Sequence, residues 1–242
     1  MWSRIQTAVE LIYPPRCVGC GELVAADFGL CGACWRETPF IGGTVCDSCG
    51  TPLPGEPDGH RIECDDCMRT PRPWADGRAA LLYQGLARRL VLALKHGDRP
   101  ELARPAALWM AQAGREMMSD GMLIAPVPLH WSRLAKRRYN QSALLASYLA
   151  RETGLSVCPD LLVRTHRTAI LDGKSAEERR EILSRAISAH PRRRHRMVRR
   201  DVLLVDDVMT SGATLAACAR ACLDAGAERI CVLTLARVAK NA

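Results

Sequence analysis

Beyond Trp74 the chain alternates between short apolar runs and amphipathic stretches at helical spacing, whereas before it neither period is visible. Residues 78–84 read as a strand. Leu86, Leu90 and Leu94 then fall on one helical face, with Lys95 and His96 before Gly97 marking the helix end. Residues 99–118 predict a second helix, and residues 122–127 a buried strand that runs into a loop punctuated by Pro126 and Pro128. Leu144, Leu145, Tyr148 and Leu149 mark a face of the next helix, for which Asn140 or Ser142 is the candidate cap. A strand is expected near residues 161–163 and a helix near 175–183. Residues 202–206, 213–225 and 230–235 then give strand, helix and strand, with Gly226 closing the last helix. Strands alternating with helices of this length predict an α/β domain over residues 75–242, a mostly parallel sheet flanked by helices.

The preceding stretch, residues 1–74, is rich in Gly, Pro and Asp and holds eight of the twelve cysteines. A hydrophobic core alone would hardly hold so loop-rich a module. Cys17/Cys20, Cys31/Cys34, Cys46/Cys49 and Cys64/Cys67 form four C-x-x-C pairs. Two intervening residues let both thiolates of a turn face one ion, and two such turns complete a tetrahedral, soft-ligand site suited to zinc. The simplest arrangement is two consecutive sites, with an interleaved one also open, and a disulfide framework is the alternative chemistry. Four thiolates leave no open position for water, so the zinc is expected to be structural. His60 could substitute as a ligand, but the cysteines already make full sets. Cys158, Cys218, Cys222 and Cys231 stand in apolar patterns and are expected in the core.

Gln6, Thr7 and Glu10 interrupt any secretory hydrophobic region, and the longest uncharged stretches are too short to span a bilayer. A cytoplasmic protein without membrane insertion is therefore expected, and in that compartment paired thiols are read as metal ligands first. The formal charge of +8 favours anionic partners such as nucleotides, pyrophosphate or nucleic acid.

The most informative stretch is Val202-Leu203-Leu204-Val205-Asp206-Asp207-Val208-Met209-Thr210-Ser211-Gly212-Ala213-Thr214. A hydrophobic strand delivers two carboxylates at its carboxyl end, and a short hydroxyl-rich loop with a glycine opens a helix. In open α/β sheets ligands bind at this edge. Backbone N–H groups of residues 210–214 and the hydroxyls of Thr210, Ser211 and Thr214 suit a phosphate at a helix amino terminus, and Gly212 permits close approach. The carboxylates of Asp206 and Asp207 suit sugar hydroxyls beside that phosphate. One alternative is that the two acids merely end a strand and cap a helix, although one would suffice. Another is a Walker-B-like strand. Gly173-Lys174-Ser175 ends as a P-loop does, but Thr168 stands where its first glycine belongs.

The stretch resembles the phosphoribosyl pyrophosphate motif of the type I phosphoribosyltransferases. That resemblance implies that Asp206 and Asp207 hold the ribose hydroxyls and stabilise an oxocarbenium-like state. It implies further that Thr210, Ser211, Gly212, Ala213 and Thr214 hold the 5'-phosphate, with magnesium travelling on the pyrophosphate. Ala125-Pro126-Val127-Pro128-Leu129, then Arg133, Arg137, Arg138, Tyr139, Asn140 and Gln141, together with Leu94-Lys95-His96-Gly97 and the cysteine turns, look like the ComF family over nearly the whole chain. For that family the resemblance implies a double zinc ribbon ahead of a phosphoribosyltransferase-type domain and a role in DNA uptake during natural transformation. The family's Arg-Gly-Phe-Asn-Gln run stands here as Arg138-Tyr139-Asn140-Gln141 after Arg137, without the glycine. Lys95 is a site residue by the same likeness, and Arg137 and Arg138 suit a pyrophosphate clamp or a solvated basic loop equally.

Three functions follow. The first is a phosphoribosyl pyrophosphate-binding protein of DNA uptake; the second is an active phosphoribosyltransferase of nucleotide metabolism. The third is a non-catalytic nucleotide sensor or accessory protein that binds single-stranded DNA or a DNA-uptake helicase. For the third, Arg192, Arg193, Arg194, Arg196, Arg199 and Arg200 form a run able to track a nucleic-acid backbone, but without interleaved aromatic residues.

Overall fold

The computed structural model describes residues 13–56, 59–96, 99–129, 139–164 and 186–239. Its centre is a five-stranded parallel sheet built from β1 (Asp76–Leu82), β2 (Leu123–Pro126), β3 (Ser156–Val157), β6 (Val202–Met209) and β7 (Ile230–Arg237), in the order β1-β7-β6-β2-β3. A separate antiparallel pair joins β4 (Leu162–Arg164) to β5 (Ile187–Ala189). Strands β6 and β7 are almost continuously apolar, as strands buried on both faces must be.

Three helices, α3 (Gly85–His96), α4 (Ala103–Gly114) and α5 (Gln141–Thr153), share one core with Leu203, Val205 and Leu233 of the sheet. Helix α6 (Ala213–Asp224) packs on the other side with Leu204 and Val232. The expected α/β architecture is therefore present, with its strands covered on both faces.

The element edges differ from the expected ones where local chemistry intervenes. The long helix expected over residues 99–118 is broken into a 3-10 turn at Pro100–Leu102, helix α4, and a second 3-10 turn at Arg115–Met117. Pro100 disfavours helical geometry at Arg99, which sits outside the helix at φ −109°, ψ 65°. Asn140 caps α5, its Oδ1 accepting from the N–H of Ser142 at 3.0 Å and of Ala143 at 3.4 Å. The short strands β3 and β5 lie where no periodic pattern announced them, because two or three residues carry no period. The helix expected at 175–183 lies outside the described residues.

Two short helices, α1 (Gly32–Glu37) and α2 (Asp65–Arg69), belong to the cysteine-rich module. That module lies along β1, the edge of the sheet. Ile41 donates to Ala80 O, Leu82 to Pro39 O and Gly77 to Asp47 O. A Cβ on Gly77 would stand 2.5 Å from Ser48 O, and one on Gly50 2.7 Å from Ala79 N, so glycine sets how closely the two backbones approach. An exposed edge strand invites pairing with another chain; here the module covers it.

Candidate functional site and cysteine knots

Sheet topology creates the crevice. Strand β2 crosses through α5 to β3 on one side, whereas β6 crosses through α6 to its neighbour β7 on the other. Between the carboxyl ends of β2 and β6 the connections thus diverge, at the switch point where open α/β sheets bind ligands.

Strand β6 is longer than the expected 202–206. Its pairing with β2 stops at Val205↔Pro126, while its pairing with β7 continues to Met209↔Arg237. Asp206 and Asp207 consequently sit within the strand, just past the point where β2 departs. Asp206 accepts a 2.7 Å hydrogen bond from Ser142 Oγ and a 2.9 Å bond from the Asp207 N–H, both on Oδ1. Asp207 is buried, and its Oδ1 lies 3.0 Å from Lys95 Nζ at the end of α3. Burial pushes the Asp206 carboxyl up to about 7, with the neighbouring Asp207 charge adding to the effect and the Ser142 hydroxyl opposing it.

Lys95 is placed by its own helix end. Tyr139 Oη donates to Leu94 O at 2.7 Å and Gln141 Nε2 to Lys95 O at 3.4 Å, while Asn140 Nδ2 ties Val127 O at 3.1 Å. The Tyr139-Asn140-Gln141 segment therefore joins α3, the β2 end and α5 around the acids.

Thr210, Ser211 and Gly212 form the loop from β6 to α6. Gly212 adopts φ +77°, a left-handed conformation that side chains resist. Thr210 and Ser211 are exposed, and Ala213 and Thr214 are half-buried in the first helical turn. Ser211 Oγ accepts from the Ala213 N–H at 3.4 Å. An α-helix leaves its first N–H groups without intrahelical partners and carries positive potential there, so this turn suits an anion. The crevice thus brings Lys95, Asp206, Asp207 and residues 210–214 together. Arg137 and Arg138 lie outside the described residues, as do Gly97, Arg133, Thr168 and Gly173-Lys174-Ser175.

Sequence pattern alone does not mark four residues around the site. Ser142, a cap candidate by position, is the Asp206 donor. Arg237, buried at the end of β7, donates from Nη1 to Thr210 O at 2.7 Å. Arg72 donates from Nη1 to Ser211 O at 2.8 Å. Trp74 lies beside Gly212, where a Cβ would stand 3.2 Å from its ring. An arginine closing a strand that is apolar but for Thr234 is the one visible signal among them.

The cysteines form two consecutive tetrads, Cys17/Cys20/Cys31/Cys34 and Cys46/Cys49/Cys64/Cys67, each with its four sulfurs within 4.8 Å of one another. Cys20 and Cys31 sulfurs are 3.6 Å apart and those of Cys49 and Cys64 3.7 Å apart. A tetrahedron with Zn–S bonds of about 2.3 Å has edges of about 3.8 Å, so the donor set fits zinc with no position left open. In each tetrad a glycine at positive φ, Gly21 or Gly50, follows the first pair, and the second pair starts a short helix with Cys31 or Cys64 at its N-cap position. His60 is exposed and belongs to neither tetrad. Cys158, Cys218, Cys222 and Cys231 are fully buried, as expected of small hydrophobes. In the arginine run, Arg193 pairs with Asp160 at 2.9 Å and Arg200 donates to Gly121 O and Ser156 Oγ.

Comparison with known proteins places these features. The double zinc ribbon domain family matches residues 8–68. Competence protein F of Haemophilus influenzae is 30% identical over 228 residues, which cover 92% of this chain and 96% of that protein. DNA utilization protein YhgH of Escherichia coli K12 is 29% identical over 220 residues, covering 89% of this chain and 93% of that one. Among solved structures, the allosteric regulatory enzyme of purine biosynthesis aligns with 60% of this chain and 30% of its own at 15% identity. Its TM-score of 0.39 is too low to carry an argument. Among the described residues no helix is long and apolar enough to cross a membrane.

Proposed function

The chain belongs to the competence protein F (ComF) family, and from that premise we propose that its crevice binds phosphoribosyl pyrophosphate with magnesium in the service of DNA uptake. The observation that carries the proposal is the meeting of two adjacent carboxylates with a glycine-bearing helix start at the switch point of the sheet. The 5'-phosphate takes the N–H groups and hydroxyls of residues 210–214, where the helix potential favours an anion. Asp206 and Asp207 accept hydrogen bonds from the ribose hydroxyls. Lys95, already 3.0 Å from Asp207, orients that carboxylate. Arg137 and Arg138 follow the β2 end in sequence and complete the pyrophosphate contacts. Magnesium bound with the ligand neutralises the pyrophosphate as a Lewis acid.

The DNA-uptake role rests on the relatives' names, competence protein F and DNA utilization protein, and a cytoplasmic location is proposed beside it. Residues 1–74 act as the double zinc ribbon and residues 75–242 as the ligand-binding domain. A ligand that binds only the folded protein raises its melting temperature. Phosphoribosyl pyrophosphate with magnesium is expected to raise that of the wild type and to leave the Asp206→Asn, Asp207→Asn variant where it was. Equal shifts in both proteins would remove the acids from the site. Release of pyrophosphate on adding an acceptor base or amine, lost in the same variant, would identify a transferase.

A further inference from the structure

The loop of residues 210–212 is held by Arg237, Arg72 and Trp74, and each of the three leads to the second cysteine tetrad. Arg237 Nη1 holds Thr210 O, while its Nε donates to Thr51 Oγ1 at 2.9 Å. Thr51 Oγ1 is 3.2 Å from Cys49 Sγ. A zinc-bound thiolate carries no proton, so the Thr51 hydroxyl donates to the Cys49 sulfur while its oxygen accepts from Arg237, giving one directional chain from thiolate to loop carbonyl. Arg72 repeats the arrangement: Nη1 holds Ser211 O at 2.8 Å and Nε lies 3.5 Å from Cys67 Sγ. Trp74, packed against Gly212, donates from Nε1 to Ser48 O between Cys46 and Cys49 at 2.6 Å. In a trans peptide the N–H points opposite to its carbonyl, so the N–H groups of Ser211 and Gly212 face away from these two guanidinium groups.

We infer that Arg72, Arg237 and Thr51 are positioning residues that couple the second zinc knot to the phosphate-holding loop, so that zinc in this knot sets the affinity of the crevice for a phosphorylated ligand. The inference about affinity rests on the ligand proposed above; the coupling of loop to knot does not. The thiolates that zinc gathers are the acceptors at the far end of both chains. Loss of the metal would release Thr51 and Arg72 together, and two loop carbonyls with them. By reciprocity, a ligand that orders the loop also tightens zinc in this knot.

The test uses the full-length, zinc-loaded protein and three variants: Thr51→Val, which keeps the shape and removes the hydroxyl; Thr51→Ser, which restores it; and Arg72→Ala. Zinc content is measured first, and two ions per chain in every protein exclude loss of the metal or the fold as the cause. Amide hydrogen exchange of Ala216 and Val238, whose N–H groups bond to Gly212 O and Met209 O, should without ligand be about tenfold faster in Thr51→Val and Arg72→Ala. It should return to the wild-type rate in Thr51→Ser and be unchanged around Cys17 and Cys34. Wild-type exchange in both Thr51→Val and Arg72→Ala overturns the coupling. Affinity for phosphoribosyl pyrophosphate with magnesium should fall about tenfold in the same two variants. If the wild type binds no phosphoribosyl pyrophosphate while exchange still responds, the coupling stands and the ligand assignment falls. If the wild type and both variants bind equally, the link between knot and affinity is overturned.

Discussion

The two cysteine knots share a ligand set, a glycine-ended first turn and a helix-starting second pair, yet they are built into different parts of the molecule. The first joins the core on the α3, α4 and α5 side through Cys17, Val18 and Cys34, and Arg99 reaches Val18 O at 3.3 Å. One of its ligands, Cys20, is exposed. The second places Cys46, Cys49 and Cys67 in the α6-side core at 0% exposure and extends Thr51, Arg72 and Trp74 toward the ligand loop. Duplicate chemistry thus serves different purposes according to what surrounds it: the first knot braces helices, the second the site.

Breaking the knots separately gives the largest expected effect. Cys46→Ser with Cys49→Ser should cost on the order of 5 kcal/mol or more, because it removes a zinc site enclosed in the core. Cys17→Ser with Cys20→Ser should cost less and leave the sheet folding cooperatively. Urea unfolding followed by tryptophan fluorescence orders the two, and equal losses would contradict the asymmetry. Gly77→Ala tests how the second knot docks. Its Cβ would meet the backbone oxygen of Ser48, which cannot rotate away, so a loss of about 3 kcal/mol is expected at full zinc occupancy.

At the site the second knot supports, Asp206 gives a pH signature. Its folded value of about 7 lies above the ordinary 3.8, so between these limits the folded chain holds more protons than the unfolded one. The stability advantage of the neutral carboxyl is therefore complete below about pH 4 and is lost as pH rises through about 7. Asp206→Asn should flatten that decline and be more stable than wild type at pH 8 by ~2 kcal/mol. A parallel pH profile in the variant would mean that another group titrates. The smallest effect is expected outside both knots: Arg193→Ala removes an ion pair open to solvent and should leave the urea midpoint unchanged.

The strand and helix order was legible because buried parallel strands read as continuous apolar runs and the helices carry 3.6-residue faces. Asp206 and Asp207 stood out because charge interrupts an apolar strand, and Gly212 because a breaker separates that strand from the next helix. Arg72, Thr51 and Trp74 did not. Arg72 and Ser211 lie 139 residues apart in sequence, and no local pattern reports such a contact. Ser142 was hidden differently, since a serine in a first helical turn already has an ordinary explanation as a cap. The consecutive pairing of the cysteines had to come from the structure as well, since spacing alone allowed either arrangement.

The most direct test of the central claim is calorimetric titration of phosphoribosyl pyrophosphate with magnesium into the wild type and the Asp206→Asn, Asp207→Asn variant. One saturable site is expected in the wild type and none in the variant, with proton release on binding near pH 7 as Asp206 ionises against the sugar hydroxyls. Absence of binding in the wild type, or equal binding by both proteins, would contradict that claim.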